Sequence, residues 1–345
     1  MFAKKYIYIC IMNKVLFILC ITILCWGCIS ETEKHQNNRN NIVYVKDRIK
    51  EIEIEDVLIN NYALVFIMND YLLISDYKSF DNQIYLFDKN SFNYLAGTAP
   101  RGPGPYEITL IGHIEPDETH QRFYVTDAGK QKIFGYVLDS VLANPQYRPE
   151  EKMKMNATFF PEKYQYVNDT LCVGIVWEVL SFSDYKPSVA KWNMETGEII
   201  TMPYEHPKIK KKRINFAVSM EHGIYVECYY YRDLMTICDL DGNLKYNIYG
   251  RNWDAPTPFY NSMYYYKKVK FVGDKIVAAY SGNKNFSDEE LPTKFLVFDL
   301  NGDYIKTIET GYKMVDFCYD SDNNRIIMSL DDVIHFAYLE LDGLI

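Results

Sequence analysis

LMTICDLDGNLKYNIYG, residues 234–250, decides the fold. An apolar, β-branched run ends at Asp239, the Asp241-Gly242 pair supplies a tight turn, and a second strand-like run follows. Asp-Gly between two such runs is a strong hairpin signal, because a type I′ turn needs φ > 0 at both central positions. The same unit returns as FLVFDLNGDYIKTIE from Phe295, with Asn301-Gly302 at the turn. Looser copies begin at Ile84 (IYLFDKNSFNYLAG), Lys132 (KIFGYVLDSVLAN) and Val189 (VAKWNMETGEIITM), and a degenerate one, HFAYLELDGLI, closes the chain from His335.

A unit recurring about every 50 residues marks a repeat architecture rather than two ordinary domains. Two more strand-like runs precede each hairpin, for instance ALVFIM and YLLISD before the first, and YYYKKVKFV and KIVAAY before the fifth. Four strands per unit in six units predict an all-β fold, a six-bladed β-propeller, in which radial repetition protects strand edges. NIVYVKDRIKEIEIEDV, residues 41–57, alternates polar and apolar residues and has no hairpin partner of its own, so it is expected to complete the last blade as a closing N-terminal strand. Residues 41–345 thus form a single domain.

Residues 1–28 stand apart. Lys14 is followed by the apolar run from Val15 to Ile29, shorter than the roughly 20 residues of a spanning helix, and Gly27-Cys28 closes it. This is the pattern of a lipoprotein signal in which Cys28 is acylated, with Met12 a plausible true start and residues 29–40 a flexible polar tether. The formal net charge is −9, and removal of Lys4, Lys5 and Lys14 with the signal makes the mature chain more acidic, which argues against nucleic acid as a partner. Cys172, Cys228, Cys238 and Cys318 show no CxxC spacing and read as core residues rather than metal ligands or a disulfide framework.

The opening of the second unit holds GTAPRGPGPYEI, residues 97–108, whose prolines and glycines shape a loop rather than a strand. Chain order makes it the link between blades one and two, expected at the mouth of the central channel. RGPGPYE at Arg101–Glu107 and AAYSGNKN at Ala278–Asn285, together with the lipoprotein start, resemble the TolB-like six-bladed β-propeller lipoproteins of gut-type Gram-negative bacteria. In this chain Pro105-Tyr106 set Glu107 later than the spacing of that family. The resemblance implies a propeller in the cell envelope, and no activity.

Catalytic signatures are scarce: GxSxG and HExxH do not occur, and His35, His113, His120, His206, His222 and His335 are scattered without ligand spacing. DLDGN at Asp239 and DLNGD at Asp299 look like half a calcium loop, but their place in the repeat calls for hairpin turns. Tyrosines cluster at YYYRD from Tyr229 and MYYYKK from Met263, where packing is the ordinary reading and stacking on a sugar or peptide at the channel rim the functional one. The blade links carry basic residues: Arg101, Arg148, residues 208–213 and Arg251. SDYKS from Ser75 and SDYKP from Ser183 repeat in the loops between second and third strands and place Asp76 and Asp184 on the same face.

The reading is a membrane-anchored, extracytoplasmic, monomeric binding or scaffold propeller of the outer membrane, without cofactor or metal. Its partner would be a protein or an anionic or glycan ligand, met at Arg101, Tyr106, Glu107, His113, Arg148, Arg251, Asp76 and Asp184. The rival reading is a glycan lyase or hydrolase pairing His113 with Glu107 or Asp76. A third is an accessory subunit of an outer-membrane uptake complex.

Overall fold

The computed structural model describes residues 32–182, 184–254 and 262–345; Cys28 and the signal lie outside them. Residues Lys34–Ile345 form one compact unit. Six antiparallel sheets follow one another along the chain, each with four consecutive ranks of strand. Blade one runs through Leu64–Met68, Tyr71–Ser75, Asn82–Asp88 and Tyr94–Pro100. Blade six runs through Met314–Asp320, Arg325–Leu330 and Phe336–Glu340, and its fourth strand is Lys50–Glu51 from the start of the chain. Chain ends far apart in sequence thus share one sheet, which closes the ring.

The closing segment does more than sequence suggested. Ile42–Tyr44 adds a fifth, parallel strand to blade five, in register with Thr307–Glu309. Residues 34–40, expected as a flexible tether, are docked as well: the Gln36 amide donates to the Tyr249 carbonyl at 2.8 Å, and Arg39 is paired with Asp233 at 2.7 Å. The tether reading rested on low apolar content, and this segment is held through backbone and charge instead.

Six apolar clusters form the core, each shared by two neighbouring blades. One joins Met68 and Leu73 of blade one to Phe123 and Val125 of blade two, for example. Burying alternate faces of each strand between sheets is what fixes register, since a slip by one residue would turn the apolar set outward. Cys172, Cys228, Cys238 and Cys318 are buried and free.

The hairpin turns differ from the expected type I′. Only the glycines have positive φ, 81° at Gly242 and 79° at Gly302, and the ladder shifts register beside each turn. Gly242 N–H donates to the Asp239 carbonyl at 3.0 Å, so this is a three-residue loop in which a glycine in the left-handed region creates the bulge. The Asp239 and Asp299 carboxylates accept backbone amides of their own turns at 2.8–2.9 Å, as the turn reading requires. Among the described residues no acidic or sulfur cluster suits a metal ion.

Blade two departs from the repeat. Residues Leu138–Ala143 form a short helix, and the fourth strand is Glu150–Lys154. Arg148, expected in a link between blades, therefore lies inside blade two, ahead of its last strand.

Candidate functional site

Alternating strand direction puts links between blades and loops between second and third strands on one face, and their contacts agree. Asn60 donates to Asp76 through backbone and side chain at 2.9 and 2.8 Å, and Lys211 meets Asp184 at 2.9 Å. Most sequence candidates on this face serve the loops themselves. Asp76 is fully buried, and its second oxygen accepts the Lys78 amide at 2.9 Å. Glu107 accepts the Gly104 amide at 2.6 Å. The exposed Arg101 turns back toward the Tyr77 and Ser79 carbonyls at 3.5 and 3.3 Å. Tyr106 sits 5.0 Å beneath the Arg148 guanidinium, in a recess shared with Pro103, Pro105 and Lys130. Arg251 is exposed in the turn that follows blade four.

The RGPGPYE loop therefore lines a recess beside blade two and not the central channel. Of the eight residues named for the site only His113 lines the channel, joined there by Tyr230, Tyr231 and Tyr264 of the tyrosine clusters; the cavity, of about 780 Å³, is walled by the innermost strands of all six blades. His113 Nε2 lies 2.7 Å from the Tyr164 carbonyl and 3.3 Å from Glu115, whose other oxygen accepts the Tyr166 amide at 3.0 Å. The proposed partners of His113, Glu107 and Asp76, are thus occupied elsewhere, and the channel acid beside it is Glu115.

Four of the six innermost strands, those of blades two, three, five and six, share a backbone device. Register shifts interrupt them between Ile111 and Ile114, Pro161 and Lys163, Tyr266 and Lys268, and Met314 and Asp316. A bulge inserts an unpaired residue and re-aims its neighbours, and here each lies beside a charged or ionisable channel residue. Lys267 is itself the extra residue of its bulge, which brings two successive lysines, Lys267 and Lys268, to the channel wall. Asn215 fixes the same point by donating its side-chain amide to the Lys267 carbonyl. Opposite, Gly174 lets blade three close up behind Lys163, for a Cβ there would stand 2.2 Å from the Lys163 carbonyl oxygen.

The channel charges are unequally matched. Lys268 meets Asp316 at 2.6 Å, and the other Asp316 oxygen accepts the Val65 amide at 2.9 Å. Among the described residues Lys163 has the Tyr230 hydroxyl at 3.4 Å and Glu162 at 3.8 Å. Lys267 has no ion-pair partner among the described residues. Burial pulls the Lys267 amine below its ordinary value, and although Asp316 opposes the fall, Lys163 adds to it. Burial also acts against charge on Lys163, but Tyr230 and Glu162 more than restore it, leaving its value raised. Both amines line the same cavity, and charge on Lys163 disfavours charge on Lys267, a penalty that an anion bound in the channel would relieve.

Sequence reasoning passed over Lys163, Lys267 and Lys268. Their signal was a lysine inside an aromatic innermost strand, FFPEKYQYVN and MYYYKKVKFV.

A family model described as a 6-bladed beta-propeller matches residues 53–237, more than half of the chain. No curated protein sequence is similar to it. Among solved structures the fold resembles a DUF4221 family member from Bacteroides vulgatus (TM-score 0.54, 11% identity, 85% of this chain and 98% of that one). It also resembles a protein described as exported from Bacteroides fragilis (0.54, 14%, 89% and 98%) and a luciferin-regenerating enzyme (0.53, 10%, 84% and 94%). Such distant likenesses show architecture alone, because propellers host many activities. By the family model and by its six closed sheets, the chain belongs to the DUF5128 family of six-bladed β-propellers.

Proposed function

We propose that this chain is an extracytoplasmic propeller, anchored through lipid on Cys28 and similar in role to the TolB-like lipoproteins, that captures an anionic ligand in its channel without transforming it. The observation that carries the reading is Lys267, placed on the channel wall by a bulge, without an acidic partner among the described residues and beside a second amine. An unpaired cation withdrawn from water destabilises the empty protein, and a ligand oxyanion offsets that penalty. The exported character of one structural neighbour and the Gly27-Cys28 ending of the signal support the envelope location.

Melting temperatures in sodium sulfate and in sodium chloride of matched ionic strength test the capture. Sulfate should raise the melting temperature of the wild type more than that of Lys267→Met, since ligand at about 100 times its Kd stabilises by roughly 2.7 kcal/mol. The sign with pH follows from the lowered Lys267 value. Binding needs the ammonium, so it is lost as pH rises through a range below the ordinary 10.5, and Lys267→Arg should extend it upward. Equal sulfate responses in wild type and Lys267→Met would remove the channel as the site. Fractionation tests the anchor: Cys28→Ala should leave the protein unacylated and off the membrane.

The His113 and Glu115 pair favours a second reading, acid–base cleavage of a glycan in the channel. Release of new reducing ends or unsaturated products, abolished by Glu115→Gln, would establish it.

A further inference from the structure

Aromatic rings continue outward from the channel lysines. Tyr230 and Tyr264, both on the channel wall, stack with centroids 5.8 Å apart and planes at 16°. Tyr231 stands 6.2 Å from Tyr230 and 6.0 Å from Tyr264. On blade three, Trp177 stacks on Tyr185 at 4.2 Å, and the guanidinium of Arg213, in the link to blade four, lies 4.1 Å from the Tyr185 ring. The two groups adjoin. The Tyr230 amide donates to the Arg213 carbonyl at 2.8 Å, and the Tyr231 phenol, raised first by burial and then by Glu290, also feels Arg213 and Tyr185.

The row has cations at both ends: Lys163 and Lys267 in the channel, and Arg213, which makes no ion pair among the described residues, in the link that enters blade four. A small anion needs only one end. Two cationic points joined by half-buried aromatic rings match a chain of rings carrying repeated negative charge. A pyranose offers an apolar face of C–H groups to an aromatic ring, and a uronate or sulfated sugar adds the oxyanion. Single-stranded nucleic acid has both features too, but its phosphates recur at every nucleotide and call for a basic groove that tracks the backbone, whereas this row has cations only at its two ends.

We propose that this face binds an acidic oligosaccharide, with one oxyanion between Lys163 and Lys267, a second at Arg213, and sugar faces against Tyr230 and Trp177. The proposal rests on the channel being an anion site and adds the ligand's class and its path out of the channel.

Calorimetry on the detergent-solubilised full chain tests it with five probes: galacturonate monomer, an oligogalacturonate, a chondroitin sulfate oligosaccharide, a neutral maltooligosaccharide and oligothymidylate. At least one acidic oligosaccharide should bind about tenfold or more tightly than the monomer, because the second contact adds to the first. Which acidic probe wins separates carboxylate from sulfate. Arg213→Met and Trp177→Ala should each weaken the oligosaccharide about tenfold, a loss of roughly 1.4 kcal/mol, and leave the monomer unchanged. Unaltered melting temperatures would show that the variants fold, and Arg213→Lys should recover part of the loss. Equal affinity for oligomer and monomer, indifference to Arg213 and Trp177, or tighter binding of the neutral sugar or oligothymidylate would overturn the proposal. If sulfate still stabilises through Lys267 while no acidic sugar binds, the glycan class falls and the anion channel stands.

Discussion

Arg39 and Lys267 are both cations drawn away from bulk water in an acidic protein, and they are held in opposite ways. Arg39, at the seam of blades four and five, pairs with Asp233 at 2.7 Å, and Tyr266 and Tyr280 donate to the same carboxylate at 3.1 Å each. Burial works against the guanidinium, but Tyr266, Asp233 and Tyr280 together hold its value above the ordinary one. Even Gly250 belongs to the arrangement, because a Cβ there would lie 1.8 Å from Asp233. Lys267 has a bulge to aim it and, among the described residues, no acid in ion-pair contact. Burial of charge alone therefore does not mark a ligand site. Charge that the fold pairs is structural, and charge that it leaves unpaired on the channel wall is available.

The largest effect should come from the segment that carries Arg39. Removing residues 1–51 takes away Arg39, the parallel strand Ile42–Tyr44 and the closing strand Lys50–Glu51, exposing the edges of blades five and six. Unpaired edges recruit other chains, so the expected product elutes as aggregate in size-exclusion chromatography and lacks a cooperative melt. A monomeric, cooperatively melting product would mean that the ring closes without its velcro strand.

Asp233→Ala tests the seam more finely. It leaves Arg39 buried without its carboxylate, which costs about 3–5 kcal/mol by urea denaturation. Adding Arg39→Met should recover much of that loss, since an apolar replacement no longer needs a partner. Lys267→Met should sit within about 0.5 kcal/mol of wild type or slightly above it, because it removes a charge the fold does not pair. A seam variant as mild as the channel variant would erase the distinction between them.

The fold was legible because each blade repeats its apolar alternation and turn residues, so IYLFDKNSFNYLAG and FLVFDLNGDYIKTIE announce the same hairpin. Blade two was misread where VLDSVLA, apolar enough for a strand, turns as a helix, and Arg148 moved with it. The channel was not legible. A bulge adds one residue without changing composition, and nothing local in MYYYKKVKFV says that Lys267 is the extra one. Arg101 and Glu107 drew attention because proline and glycine frame them, but that frame signals backbone shape, and their side chains are spent on it.

Gly102 puts a number on that shape. Its φ is not among the positive ones, so a left-handed backbone is not the reason for glycine there. Space is: a Cβ at Gly102 would stand 2.1 Å from the Glu107 carboxylate that caps Gly104. Gly102→Val should cost about 1–3 kcal/mol through overpacking, and Glu107→Ala in the same chain should return part of it. No recovery in the double variant would place the strain elsewhere in the link.

Arg101→Ala should have the smallest effect of all. Its guanidinium is exposed and reaches two carbonyls of its own blade at 3.3–3.5 Å, long for charged hydrogen bonds and open to water. Solvent can replace such contacts, so the stability change should stay within about 0.5 kcal/mol. Arg101 does not line the channel, so sulfate stabilisation through Lys267 should be unchanged, and its salt dependence with it. This outcome places Arg101 with the seam in kind and far below it in consequence, a cation whose partners are supplied by the fold. A clear loss of ligand in Arg101→Ala at unchanged stability would instead extend the binding face across blade one, and an exposed, loosely satisfied arginine would have to be counted with Lys267 as available charge.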